Sequence, residues 1–132
     1  MTTLAYLATC YSKHWGGLDI AYIEASELAA ELYKIGIHVY SPITHTHSMA
    51  AYGKMDPRDH ALWRPLNETM MERCDVLIVA NSDGWQHSEG IAYEIDYFKK
   101  MGKPIFDMDV NSLKMSRRME PVEHTIKEVV VG

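Results

Sequence analysis

A chain of 132 residues, 47% of them hydrophobic, has enough apolar side chain to fill the core of one domain. Thirteen basic against eighteen acidic residues give a formal charge of -5, which offers a nucleic-acid polymer no overall attraction, although a small anion needs only a local positive site. The start, MTTLAYLATCYSKHWGG, has no basic leader and too short an apolar run to span a bilayer, and Cys10 and Cys74 form no CxxC pair. The expectation is therefore a cytoplasmic protein with reduced thiols and no membrane partner.

TLAYLA (3–8) reads as a buried first strand, broken by the polar loop TCYSKHWGG. Leu18, Tyr22, Ala25, Ala29 and Leu32 recur at helical spacing and predict a helix from Asp19 to Ile35, with Asp19 as its cap and Gly36 just past its end. IHVYSPI (37–43) reads as a second strand that Pro42 ends. Residues 44–58, polar and containing Gly53 and Pro57, read as a loop with little regular structure, long enough to suggest a function. Helical spacing resumes at Leu62, Leu66, Met70 and Arg73. DVLIVA (75–80) is the clearest strand, SDGWQH its exit loop, residues 88–101 an amphipathic helix ending at Gly102, and KPIFDM (103–108) a fourth strand. The terminal EVVVG fits a last strand or a helix end.

The order β-α-β-α-β-α-β with continuous apolar strands predicts an α/β fold over residues 1–132: a three-layer, flavodoxin- or Rossmann-like parallel sheet with helices on both faces. Ligands of such sheets bind beyond the carboxyl ends of the strands, which points to the loops 9–17, 41–58 and 81–89.

The helix at 88–101 raises a question of its own. Ile91, Ile95 and Phe98 form the stripe expected to face the sheet, with Gly90, Glu94 and Tyr97 on the adjacent one. Side chains lean toward the N-terminus of a helix, so Glu94 projects over the turn that holds Gly90, where no side chain fills the space. The free N–H groups of the helix start, beside Ser88, suit a phosphate or another anion. The plainer account makes Glu94 a solvated residue in a favourable place on the dipole and Ser88 an ordinary N-cap. Spacing alone does not choose between them.

AYLATCYS near the start, CDVLIVANSDGW in the middle and SEGIAYEIDYFKKMGKPI after it resemble the nucleoside 2-deoxyribosyltransferase superfamily, which includes deoxynucleoside 5′-monophosphate N-glycosidases. The likeness covers roughly residues 3–108, and DGWxxSxG…E most resembles a poorly characterised branch. The resemblance implies that Glu94 is a nucleophile attacking the anomeric carbon to form a glycosyl-enzyme intermediate, as retaining glycoside chemistry requires. It implies that Tyr6 orients that carboxylate; otherwise Tyr6 is an ordinary core aromatic. Ser88, six positions before Glu94, stands where the monophosphate hydrolases carry the Ser that contacts a 5′-phosphate, with Thr9, Ser12 and Lys13 able to complete the contact. An Asp that assists protonation of the base is expected eight residues before Asp75, but Asn67 stands there, followed by Glu68. Asn hydrogen-bonds a base edge but cannot donate a proton as an acid, so Glu68, Asp83 or another group takes that role, or turnover is lost. A homo-oligomer is implied by the resemblance only.

His45 and His47, two apart, would share one face of a strand, but no third ligand completes a zinc site, so neither metal nor cofactor is expected. These histidines line the pocket or populate a polar loop. Trp85 and Trp15 could stack on a nucleobase or pack as a lid, Trp63 and Arg64 could close the same cavity or meet a partner subunit, and Asp83-Gly84 is first a turn signal. The leading expectation is an enzyme of the N-glycosidic bond acting on a small nucleotide or nucleoside. The alternatives are a nucleotide-sensing domain without turnover and a flavodoxin-like binder of a cofactor phosphate at loop 9–17, which lacks a Gly-rich fingerprint.

Overall fold

The computed structural model describes residues 2–119. Its strands are β1 (Leu4–Ala8), β2 (His38–Tyr40), β3 (Val76–Ala80), β4 (Ile105–Met108) and β5 (Met115–Arg117). They form one sheet in the order β2-β1-β3-β4-β5, parallel except for β5, which runs antiparallel to β4. Strand alternation then sorts the core into two layers. Tyr6, Ala8, Leu77 and Val79 pack on one face with Met71 and Cys74 and with Ile91 and Phe98. Ala5, Leu7, Ile78 and Ala80 pack on the other with Leu32. Both faces are covered, which is why β1 and β3 read as unbroken apolar runs: the fold is a three-layer α/β sandwich with a mostly parallel sheet.

The helices are α1 (Leu18–Lys34), α2 (Pro42–Gly53), α3 (His60–Arg73) and α4 (Glu89–Met101). The cap of α1 is Gly17 rather than Asp19, which sits in the first turn with its side chain in solvent. Segment 44–58 departs most from the sequence reading, because its first ten residues belong to α2. Ser41 caps that helix by accepting a bond from the Thr44 N–H at 3.2 Å, and Pro42 occupies the first turn, where a missing N–H costs nothing. The same proline ends β2 after Tyr40, three residues earlier than predicted. Asp59 caps α3 by accepting from the Leu62 N–H at 3.2 Å, and the Lys103 ammonium donates to the Glu72 and Cys74 carbonyls at its far end, both at 2.8 Å.

The short β5 was not foreseen; just beyond it, Arg118 forms a fork with Asp107 at 2.7 and 3.2 Å. EVVVG lies outside the described residues. No described helix is long and apolar enough to cross a membrane.

Candidate active site

The site is built around α4. Ser88 caps this helix by accepting the Ile91 N–H at 3.1 Å, and Gly102 ends it with φ 69°, a left-handed conformation that suits glycine. Ile91 and Phe98 are fully buried against the sheet, each contributing about 1.5–3 kcal/mol of apolar burial. Glu94 follows Ile91 by three and precedes Phe98 by four, so it lies within the sheet-facing stripe and not on the neighbouring one, where the spacing with Gly90 and Tyr97 had put it. Only 9% of the residue is exposed.

A carboxylate held this way is short of water. Burial pushes the Glu94 pKa from 4.5 up to about 8, with the Tyr6 hydroxyl partly opposing the shift. Tyr6 projects from the middle of β1 onto the same face, in contact with the rings of Tyr40 and Phe98 at 5.7 and 6.0 Å. Its hydroxyl is buried and lies near the Glu94 carboxyl, but in no geometry tight enough to count as a hydrogen bond. Burial and the neighbouring carboxylate both raise the Tyr6 pKa well above the ordinary phenol value.

Glu94 opens into two adjoining cavities of about 110 and 220 Å³, which share His60, Trp63, Asn67, Glu89, Gly90 and Glu94. Together they reach the lower end of the range that holds small-molecule ligands. Thr9, Ser12, Lys13 and Ser88 line the inner one. The sequence-predicted residues Glu94, Asn67, Ser88, Gly90, Thr9 and Ser12 therefore converge, with Tyr6 beneath them. Among the described residues, the Thr9 hydroxyl, the Asn67 side-chain oxygen and the Tyr6 hydroxyl are buried without a hydrogen-bond partner. Such groups are uncommon in folded proteins because each carries its full desolvation cost, about 1–3 kcal/mol. Thr9 and Asn67 line the inner cavity and Tyr6 lies outside its lining, while two further groups of this kind, the Tyr93 hydroxyl and the Asn81 side-chain oxygen, belong to the outer cavity and to the α1 side of the sheet.

Other residues lie elsewhere. Asp83 and Trp15 belong to a larger cavity of about 560 Å³ on the α1 side, with Glu24, Glu27 and Asn81 but without Glu94. Trp85 packs against the core below α4, with the Arg118 guanidinium 5.7 Å from its ring. Trp15 and Trp85 therefore do not share a cavity. His45 and His47 sit on α2 rather than on a strand, and there neighbouring side chains diverge by about 100°. His45 meets the Tyr40 hydroxyl at 3.0 Å and His47 meets Tyr11 and Asp19, while Thr46 between them faces the cavity. Among the described residues, no group of three or more His, Cys, Asp or Glu is placed to hold a metal ion.

At the mouth of α4, Glu89 is exposed and pairs with Lys13 at 3.1 Å, so a carboxylate already stands where an incoming anion would sit. Arg64 lies over the Tyr93 ring at 5.0 Å in the outer cavity, a second cation within reach. Glu68 lines neither cavity. Sequence reasoning missed Tyr11, Thr46 and His60 in the lining. The first two became readable once Ser41-Pro42 is taken as a helix start, which brings α2 over the first loop.

Fold and site together define an α/β protein with the strand order 2-1-3-4-5 and a buried carboxyl in a polar cavity beside the carboxyl end of β1. The chain belongs to the family described as a domain of unknown function (DUF1937), which matches residues 3–110. Comparison with curated proteins gave no match.

Proposed function

We propose that this domain cleaves or transfers the N-glycosidic bond of a small nucleotide or nucleoside, with Glu94 as the nucleophile. The observation that carries the reading is the buried Glu94 carboxyl, wedged between Ile91 and Phe98 and open only to a cavity with unpartnered polar groups. Such a carboxyl, once ionised, is poorly solvated and strongly nucleophilic toward an electron-poor sugar carbon. The resemblance of SEGIAYE to the deoxyribosyltransferase superfamily points to the same residue.

In this reading the Tyr6 hydroxyl supports the ionised carboxylate, and the Glu94 oxygen bonds to the anomeric carbon as the base departs. Water or a second base then resolves the glycosyl ester. Asn67 and Thr9 hydrogen-bond the ligand, and Ser88 with the N–H groups of α4 receives a phosphate, which displaces Glu89 from Lys13.

The test is base release from a panel of deoxy- and ribonucleotides, followed by chromatography. Release that disappears in Glu94→Gln supports the enzyme. A second reading, a nucleotide sensor, is favoured by Asn67, which cannot donate a proton as an acid; binding without any release supports it instead.

A further inference from the structure

Three elements meet at His47. Its Nδ1 lies 2.7 Å from the Tyr11 hydroxyl of the first loop, and its Nε2 lies 3.0 Å from Asp19 Oδ1 at the start of α1. The imidazole is stacked on the Tyr22 ring at 4.4 Å and 18°, so its plane is fixed. The His47 side chain is only 13% exposed, whereas that of Asp19 is 92% exposed. Tyr11 itself lines the inner cavity beside Glu94. A phenol in the cavity is thus connected through an oriented imidazole to a carboxylate in bulk solvent. This is the order of groups needed to carry a proton between solvent and a bound ligand.

We propose that Tyr11 is the proton donor to the leaving base, and that His47 and Asp19 are positioning residues that return the proton to it. The inference rests on the glycosidic reading and supplies the acid that Asn67 does not. In the first half-reaction a Glu94 oxygen bonds to the anomeric carbon while the carbon–nitrogen bond breaks. The base keeps that electron pair and takes the Tyr11 proton, and the phenolate takes the Nδ1 proton of His47 while Nε2 takes one from solvent by way of Asp19. In the second half, water attacks the anomeric carbon and the ester electrons return to Glu94. The water proton passes through Tyr11 to His47, whose Nε2 returns its own to solvent by way of Asp19, and the starting state is restored.

The experiment compares two substrates: the nucleotide that the wild type cleaves fastest, and the 4-nitrophenyl glycoside of the same sugar phosphate, whose leaving group departs without a proton. Tyr11→Phe and His47→Gln are expected to slow the nucleotide on the order of 10²-fold or more, and at least about tenfold more than they slow the aryl glycoside. Equal losses on both substrates, or a change in KM alone, would mean that Tyr11 holds the sugar phosphate or merely pins the loop, and would overturn the proposal. Glu94→Gln should be inactive on both. If it remains active, or if the wild type releases no base, the glycosidic reading fails and this proposal with it. Asp19→Asn, at the exposed end, is a second probe with little risk to folding and should give the same bias in smaller measure; no bias in it or in Tyr11→Phe counts against the relay.

Discussion

The Glu94 carboxyl of α4 lies against the Tyr6 hydroxyl of β1, and the two form the buried polar centre of an otherwise apolar layer. Burial works against the charged form of both groups; the Glu94 charge raises the Tyr6 pKa further, whereas the Tyr6 hydroxyl partly offsets the shift of Glu94. A pair of this kind destabilises the fold, and the place of Glu94 in a cavity wall is the physical reason that it points to a function.

Stability should reveal that cost. Burial raises the folded-state pKa of Glu94 to about 8, against an ordinary 4.5. At low pH both folded and unfolded carboxyls are protonated and no penalty arises. As pH rises from about 4.5 toward 8 the unfolded chain gains by ionising, and the fold loses stability through that window. With each pKa unit worth about 1.4 kcal/mol, the loss near pH 8 is a few kcal/mol. Thermal melting should show Glu94→Gln several degrees more stable than wild type at pH 8 and nearly equal at pH 4.5.

The pH-rate profile follows from the same group. A nucleophile must be ionised, so kcat/KM is expected to rise with pH, to be half-maximal near pH 8 and to level off above it. Asn67→Asp places a second carboxyl in the Glu94 cavity, and like charges disfavour ionisation. Its rising limb should therefore move to higher pH, which initial rates across a buffer series can measure.

Tyr6→Phe separates support of the carboxylate from packing. The ring stays between Tyr40 and Phe98, and a buried hydroxyl without a hydrogen bond is removed. Melting temperature should hold or rise slightly, while base release falls about tenfold or more, in line with losing the charge-assisted hydrogen bond of about 1.5–3 kcal/mol that the proposed reaction gives the ionised Glu94. A loss of stability together with unchanged turnover would reduce Tyr6 to a core aromatic.

Gly90→Ala should trade affinity for stability. A Cβ there would meet only the Ser88 Oγ, at 3.8 Å, so the helix accepts it and gains about 1 kcal/mol of propensity. The methyl group would enter the space shared by both cavities. Calorimetric titration with the best-bound nucleotide is expected to show weaker binding in a more stable protein.

The layers of this fold were legible in the sequence because β1 and β3 are buried on both faces and leave unbroken apolar runs. Helix α2 was not, since its exposed side carries His45, Met49 and Tyr52 and its apolar period is faint; the Ser41-Pro42 start was its one strong signal. The antiparallel β5 is three residues long and carries no period at all. Within the site, Glu94 and its neighbours on α4 could be read because they share one helix. The link from Tyr11 through His47 to Asp19 joins three elements, so only their packing brings it together.

The most direct test of the central claim is a covalent one. The protein is quenched in acid during turnover of its fastest nucleotide, and its mass is measured intact and after digestion. A sugar-phosphate adduct on the peptide carrying Glu94, absent from Glu94→Gln, is the predicted result. Base release accompanied by an adduct on a different residue would contradict the account.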